Sequence, residues 1–324
     1  VLCSTHLGPS LGRVAADTIF GKNNPAGRTP TTWYRSVRDL PAIGDYDIMK
    51  NRTTYLYFNG EPLYPFGYGL SYTQFAYSNA KAGKKVYGED EEITASVTVE
   101  NVGSYDGDEV VQLYVVPPKS VYTRPRKMLK AFRRVFVQKS RSVCVDLAFK
   151  VSDLAFWCTD TDSFVVEEGD YVLQIGASSE DIRCEAAVHV NGTVITGRDA
   201  QKKRSAIDAD DYRGVQFLTD RKDGMTYLEA GDFRSFAVYK GLDLKGCDAF
   251  EALISSPAGR VDLILADNQT GEIIGTCEAA GTGSLIHFSP VSCEIRPRNG
   301  LLDLRICFTK QTSLKSFRFY YNLL

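Results

Sequence analysis

The sequence predicts a mainly β chain: two β-sandwiches in tandem, the second a jelly roll, preceded by one short helix and a run of irregular closing loops. Two observations carry this. From Glu92 onward apolar residues alternate with polar ones, and Ile93, Ala95, Val97 and Val99 fall on one side of the chain. After Ile207 a second set of strand-like runs begins, "RSFAVY", "DAFEALIS", "RVDLILAD", "LLDLRICF" and "SFRFYY", separated by clusters of Gly, Asp, Asn and Pro.

Before Glu92 the one regular period is helical. Leu11, Val14, Ala15, Thr18 and Ile19 share a face, Ser10 is placed to cap the start, and Gly21 follows the last turn. A helix this short needs a surface on which to bury its stripe. The next fifty residues offer turns such as "NNPAGRTP" and "DLPAIGDYD", so the expected partner lies upstream of Val1. The opening "VLCSTHLGPSLG" has neither an initiator methionine nor the zones of a secretion signal, and reads as the tail of something longer.

The first sandwich follows from the alternation, with the turn "NVGSYDGDE" leading into "VVQLYVV" and further strands at "SVCVDLAF" and "YVLQIGAS". Around "VNGTVITGRDAQKKRSA" the pattern lapses into small and basic residues, which reads as a linker. The expected boundaries are 1–78 for the opening segment, 79–190 for the first sandwich, 191–204 for the linker and 205–324 for the jelly roll.

Composition excludes several classes of function. A chain of 324 residues, 44% hydrophobic and 24% charged, buries a real core, and a formal charge of −2 gives no electrostatic case for nucleic acid. No apolar run is long enough to span a bilayer. Eight cysteines are scattered without a C-x-x-C pair, which argues against thiolate metal sites and favours buried free thiols, with disulfides among the last four as the alternative. Sequons begin at Asn51, Asn191 and Asn268.

Catalytic patterns are sparse. The histidines are His6, His189 and His287, none in a G-x-S-x-G or comparable setting, and no glycine cluster forms a phosphate loop. Asp45, Asp47 and Glu61 lie close in sequence, but a glycosidase pair needs two carboxylates across a sugar cleft with one pKa raised. They read as turn formers.

One stretch does not fit a solvated turn. "EPLYPFGYGLSYTQF", Glu61 to Phe75, sets five aromatic rings among two glycines and two prolines. Together with "AADTIFGKNNPAGRTPTTWYRS", "NVGSYDGDEVVQLYV" and "RPRKMLKAFRRV", it resembles the C-terminal part of glycoside hydrolase family 3, the β-glucosidases and β-xylosidases, over roughly residues 8 to 185. The resemblance implies a catalytic barrel, an α/β sandwich domain and a fibronectin type III-like β-sandwich. In it, residues 1 to 78 are the closing remnant of the α/β domain, and the aromatic stretch is a packed connector between domains. The family's retaining mechanism uses an aspartate on the barrel and a glutamate acid/base, so no catalytic residue is assigned within this chain and no cofactor for catalysis is expected.

Residues from about 205 to 322 resemble carbohydrate-binding module family 6, on "AIDADDYRGVQF" and "YLEAGDFRSFAVY", with "GTGSLIHF" and "SLKSFRFYY" at the positions of binding loops. The resemblance assigns Tyr227 to one of two sugar-stacking rings. The second ring's place is held by Leu285 and the ligand-bonding amide's by Ser313, so the cleft is expected to be impaired. Asp208 and Asp210 stand where the family often ligates a structural calcium.

The expected function is therefore that of the C-terminal portion of a family 3 β-glycosidase acting on plant-type oligosaccharides, with an appended carbohydrate-binding module. The alternative is a non-catalytic carbohydrate-binding or scaffold protein. The expected partners are an oligosaccharide or polysaccharide and the upstream barrel, and the expected location is extracellular or at the cell surface.

Overall fold

The structure is a computed structural model and describes residues 8–220 and 224–321. Cys3 and His6 lie outside the described residues. The chain is mainly β, as its alternation dictates, and divides into two compact units.

The first unit comprises Val1–Lys119, Arg124–Phe156 and Val165–Val194. Its sandwich packs a three-stranded sheet, Phe75–Ala82, Glu92–Asn101 and Ser142–Lys150, against a five-stranded one. The latter runs Val86–Tyr87, Ile182–Val190, Gly169–Gly176, Gly107–Val116 and Met128–Val137 in spatial order. Period-two burial puts Ile93, Val97 and Val99 of one sheet against Val111, Leu113, Tyr171, Leu173 and Ile175 of the other, all fully buried. Every pairing is antiparallel except that of Val86–Tyr87 with Ile182–Val190.

Ahead of this sandwich lies the helix Leu11–Ile19. Ser10 stands at its N-cap but makes no side-chain capping bond, because a 3₁₀ turn, Gly8–Ser10, leads in and Ser10 already has helical dihedrals. Gly21 follows with φ +70° and donates its N–H to Thr18 O, as a helix end requires. Only Thr18 of the helix is buried, and Ile19 and Phe20 are 65% and 79% exposed.

The second unit comprises Ser120–Thr123, Trp157–Phe164 and Ile195–Leu324. Two six-stranded sheets face each other over a core that includes Leu228, Tyr239, Phe250, Leu263, Leu304, Ile306, Phe317 and Phe319. Cys277 of the strand Ile273–Ala280 and Cys293 of the strand Ser289–Glu294 form a disulfide between the two sheets. This corrects the expectation of free thiols at those two positions; Cys144, Cys158, Cys184, Cys247 and Cys307 are free.

The stretch expected as a linker is ordered where its arginines lie. Arg198–Asp199 pairs with the strand Phe236–Asp243, and Arg204–Ser205 pairs with Thr312–Tyr320. Arg198 and Arg204 are buried, and buried guanidiniums demand partners. Both donate to Thr159 Oγ1, at 3.2 and 3.3 Å, and Arg204 also pairs with Asp160 at 2.8 Å. Lys202 Nζ closes the same loop onto Asp160 O at 2.6 Å and Asp162 at 3.0 Å.

Candidate functional site

The aromatic stretch is a packed connector within the first unit. Phe66 stacks on Tyr55 at 4.3 Å between centroids, and Tyr55 meets Tyr114 of the sandwich edge-on at 5.9 Å. Tyr64 packs edge-on against Trp33 at 5.9 Å, with a backbone bridge between the same two residues. Gly67 carries φ +80°, and a Cβ there would lie 2.0 Å from Gln112 Oε1. Gln112 Nε2 in turn donates to Gly67 O at 3.1 Å and Ala177 O at 2.6 Å. The glycine is required by both conformation and contact.

The acids of the opening segment do not make a catalytic pair. Asp45 is bound to Lys50 at 2.8 Å, and the hydrogen bonds from Lys50 and Asn51 hold its carboxyl below the usual range, the opposite of a poised general acid. Asp47 Oδ1 accepts the backbone N–H of Met49 and of Lys50, and Glu61 forms an exposed ion pair with Arg35. His189 pairs with Asp170 at the surface.

In the second unit, Tyr227 sits on the strand Thr226–Ala230 and is only 7% exposed. Phe288 meets it edge-on, 5.7 Å between centroids, and Lys315 lies 5.9 Å over the Phe288 ring. Burial, with Glu229 and Asp220 nearby, pushes the Tyr227 phenol above its ordinary pKa. Ser313 faces Glu229 and Ser255 across its neighbouring strands and is fully buried, with an Oγ that finds no partner. The loop carrying Leu285 and Phe288 is anchored where Ser255 Oγ donates to Ser284 O at 2.9 Å and meets Thr282 Oγ1 at 3.0 Å. The structure therefore brings Tyr227 together with Phe288. Sequence reading did not single out Phe288, although it ends the quoted stretch "GTGSLIHF".

Of the pair expected to ligate calcium, Asp210 is engaged by protein groups in the structure. Asp210 Oδ2 is taken by Arg198 Nη1 and by the Lys240 backbone N–H at 2.8 Å. Asp208 is half-buried, and burial raises its pKa against the pull of Arg204 and Arg198. Among the described residues no cluster of three or more His, Cys, Asp or Glu side chains could hold a metal. The Arg198 guanidinium supplies positive charge beside the Asp210 carboxylate.

Comparison with known proteins agrees with the opening segment and the first sandwich. The family description "Glycosyl hydrolase family 3 C-terminal domain" matches residues 1–72, and "Fibronectin type III-like domain" matches residues 109–179. The chain is 36% identical over 198 residues to thermostable β-glucosidase B of Acetivibrio thermocellus, covering 58% of this chain and 26% of that protein. The crystal structure of the family 3 β-glucosidase of Bifidobacterium adolescentis superposes with a TM-score of 0.52 at 31% identity, over 57% of this chain and 29% of that one. β-Glucosidase 3B of Thermotoga neapolitana, in complex with α-D-glucose, gives 0.51 at 32% identity over 57% and 27%. The chain thus spans about a quarter of the length of these relatives. It carries a glycosyl hydrolase family 3 C-terminal domain segment joined to a fibronectin type III-like domain, and over both it is a homologue of β-glucosidases.

Proposed function

We propose that this chain is the C-terminal portion of a family 3 β-glycosidase, a β-glucosidase or β-xylosidase acting on plant-type oligosaccharides, whose catalytic carboxylates lie in an upstream barrel. The observation that carries this reading is the set of large apolar side chains left exposed between Leu11 and Tyr46. Ile19, Phe20, Val37 and Tyr46 are 65%, 79%, 82% and 87% exposed, and Leu11, Val14, Leu40 and Ile43 join them. Each such side chain is worth about 1.5–3 kcal/mol when buried, so this segment suits burial against a packed partner. An extracellular or cell-surface location suits polymeric plant substrates and the Cys277–Cys293 disulfide.

Hydrolysis of nitrophenyl β-glucoside and β-xyloside tests it. The chain alone is expected to release no nitrophenol, and the full product of its gene to release it from one of the two. Turnover by the chain alone would remove catalysis from the upstream portion.

The C-terminal sandwich is the saccharide-binding part of this reading, at the Tyr227–Phe288 pair. Tyr227 is only 7% exposed and Phe288 meets it edge-on, so a sugar would stack on the Phe288 ring that Tyr227 supports and not between two open walls. Calorimetry with xylo- and gluco-oligosaccharides should show weaker binding for both Tyr227→Ala and Phe288→Ala. Equal affinity in both variants removes the pair from any binding site.

A further inference from the structure

The first unit contains a cleft of about 640 Å³, bounded by the connector Pro65–Phe75 and the ends of sandwich strands, that the family comparison does not explain. Its volume lies within the roughly 300–1,000 Å³ of small-molecule sites. Its polar lining is organised by two guanidinium–carboxylate pairs. Arg28, at the turn "NPAGRTP", donates through Nη2 to Glu109 Oε1 at 2.9 Å and through Nη1 to Gly27 O at 3.1 Å. Glu109 is buried and also accepts from the Tyr77 hydroxyl at 3.2 Å. Arg28 Nε is buried and has no partner. A Cβ on Gly69 would lie 2.1 Å from Gly27 O and 2.8 Å from Arg28 Nη1, so the connector backbone lies directly against the arginine turn.

Arg183 forms the second pair, a two-pronged bond from Nε and Nη2 to Asp181 at 3.1 and 2.8 Å. Its Nη1 donates to Phe75 O at 2.6 Å, and its guanidinium lies 4.7 Å over the Tyr77 ring. Glu180, Ser71 and Ser178 add acceptors and hydroxyls, and Tyr68 and Phe75 add ring surface.

The charges decide the ligand class. Two arginines face Glu109, Glu180 and Asp181, and both arginines are already paired, so an anion meets no uncommitted cation. Planar forks that hold one another present donors and acceptors in fixed directions with little net charge. That lining suits a neutral, polyhydroxylated ligand with an apolar ring face. We propose that this cleft is a second saccharide-binding site, taking a neutral oligosaccharide. The proposal rests on the glycosidase reading only for the choice of sugar, and nitrophenol release does not bear on it.

The test uses the full chain carrying Tyr227→Ala, which removes the C-terminal ring, and titrates cellobiose and xylobiose by calorimetry. Saturable binding of at least one disaccharide is expected. Glu180→Ala and Gln74→Trp, at exposed lining positions, should each weaken it about tenfold, whereas Glu168→Ala, an exposed acid outside the cleft, leaves it unchanged. Thermal melting checks that each variant is folded. No saturable binding in the Tyr227→Ala chain, or undiminished affinity in Gln74→Trp, overturns the site.

Discussion

Arg198 holds Asp210 in a buried ion pair, with its guanidinium 4.7 Å over the ring of Tyr122. The arginine side chain is 1% exposed and the aspartate 8%, so neither charge can turn to water if the other is lost. Arg198→Met or Asp210→Asn should each cost about 3–5 kcal/mol, read as a lower denaturant midpoint, because a buried charge is stranded. The double variant should recover part of that loss. Neither chelator nor added calcium should move the melting temperature of the unmodified chain, since Asp210 is already committed. A calcium-dependent rise of several degrees would show that the carboxylates bind metal after all.

Asp267 predicts a pH dependence. Burial alone would raise its carboxyl, but the backbone N–H groups of Gln269 and Thr270 and the Arg298 guanidinium outweigh it and leave the pKa below 3.8. A depressed carboxyl contributes stability that is fully present above its unfolded value near 3.8 and is lost as pH falls through the folded value. Asp267→Asn should therefore destabilise the chain at pH 7 by about 2 kcal/mol and by less at an acid pH below 3.8, with denaturant unfolding at the two pH values as the readout. Equal losses at both would place the effect in packing.

The Cys277–Cys293 bond closes a sequence separation of 16 between facing sheets. Loop-closure entropy assigns such a link about 3 kcal/mol. Cys277→Ser with Cys293→Ser should lower the unfolding free energy by that amount. An added reductant should lower the unmodified chain's melting temperature and leave the double variant's unchanged.

Gly67→Ala should destabilise the first unit by at least about 1–2 kcal/mol, the strain of a side chain in the left-handed region alone, because the new methyl also displaces Gln112. Gly88→Ala, where a methyl meets nothing within 4 Å and φ is not positive, is the matched control and should be close to neutral. Circular dichroism melts would separate the two.

The sandwich strands were legible where burial follows period two without interruption, as at Glu92–Asn101 and Ser142–Lys150. Met128–Val137 was not read as a strand, since it lies at a sheet edge where Phe132 and Phe136 face outward among arginines and the alternation blurs. The basic run before Ala206 looked like solvated chain for a physical reason: sequence shows the charge of Arg198 and Arg204 but not the acids and hydroxyls, some forty residues earlier, that make their burial tolerable. Tyr227 was assigned by resemblance, yet its edge-on contact with Phe288 depends on a loop path that no local pattern encodes. Cleft residues such as Arg28 and Arg183 are 155 positions apart, and only the fold makes them neighbours.

The loops Ser120–Thr123 and Trp157–Phe164 belong by their contacts to the second unit, while the chain on either side of them belongs to the first. A graft of residues 195–324 onto another protein would leave Arg204 without Asp160 and Lys240 without Thr123. Shuffling of this module between hosts would therefore require both loops to travel with it, which ties its inheritance to that of the fibronectin type III-like domain whose sequence encloses them.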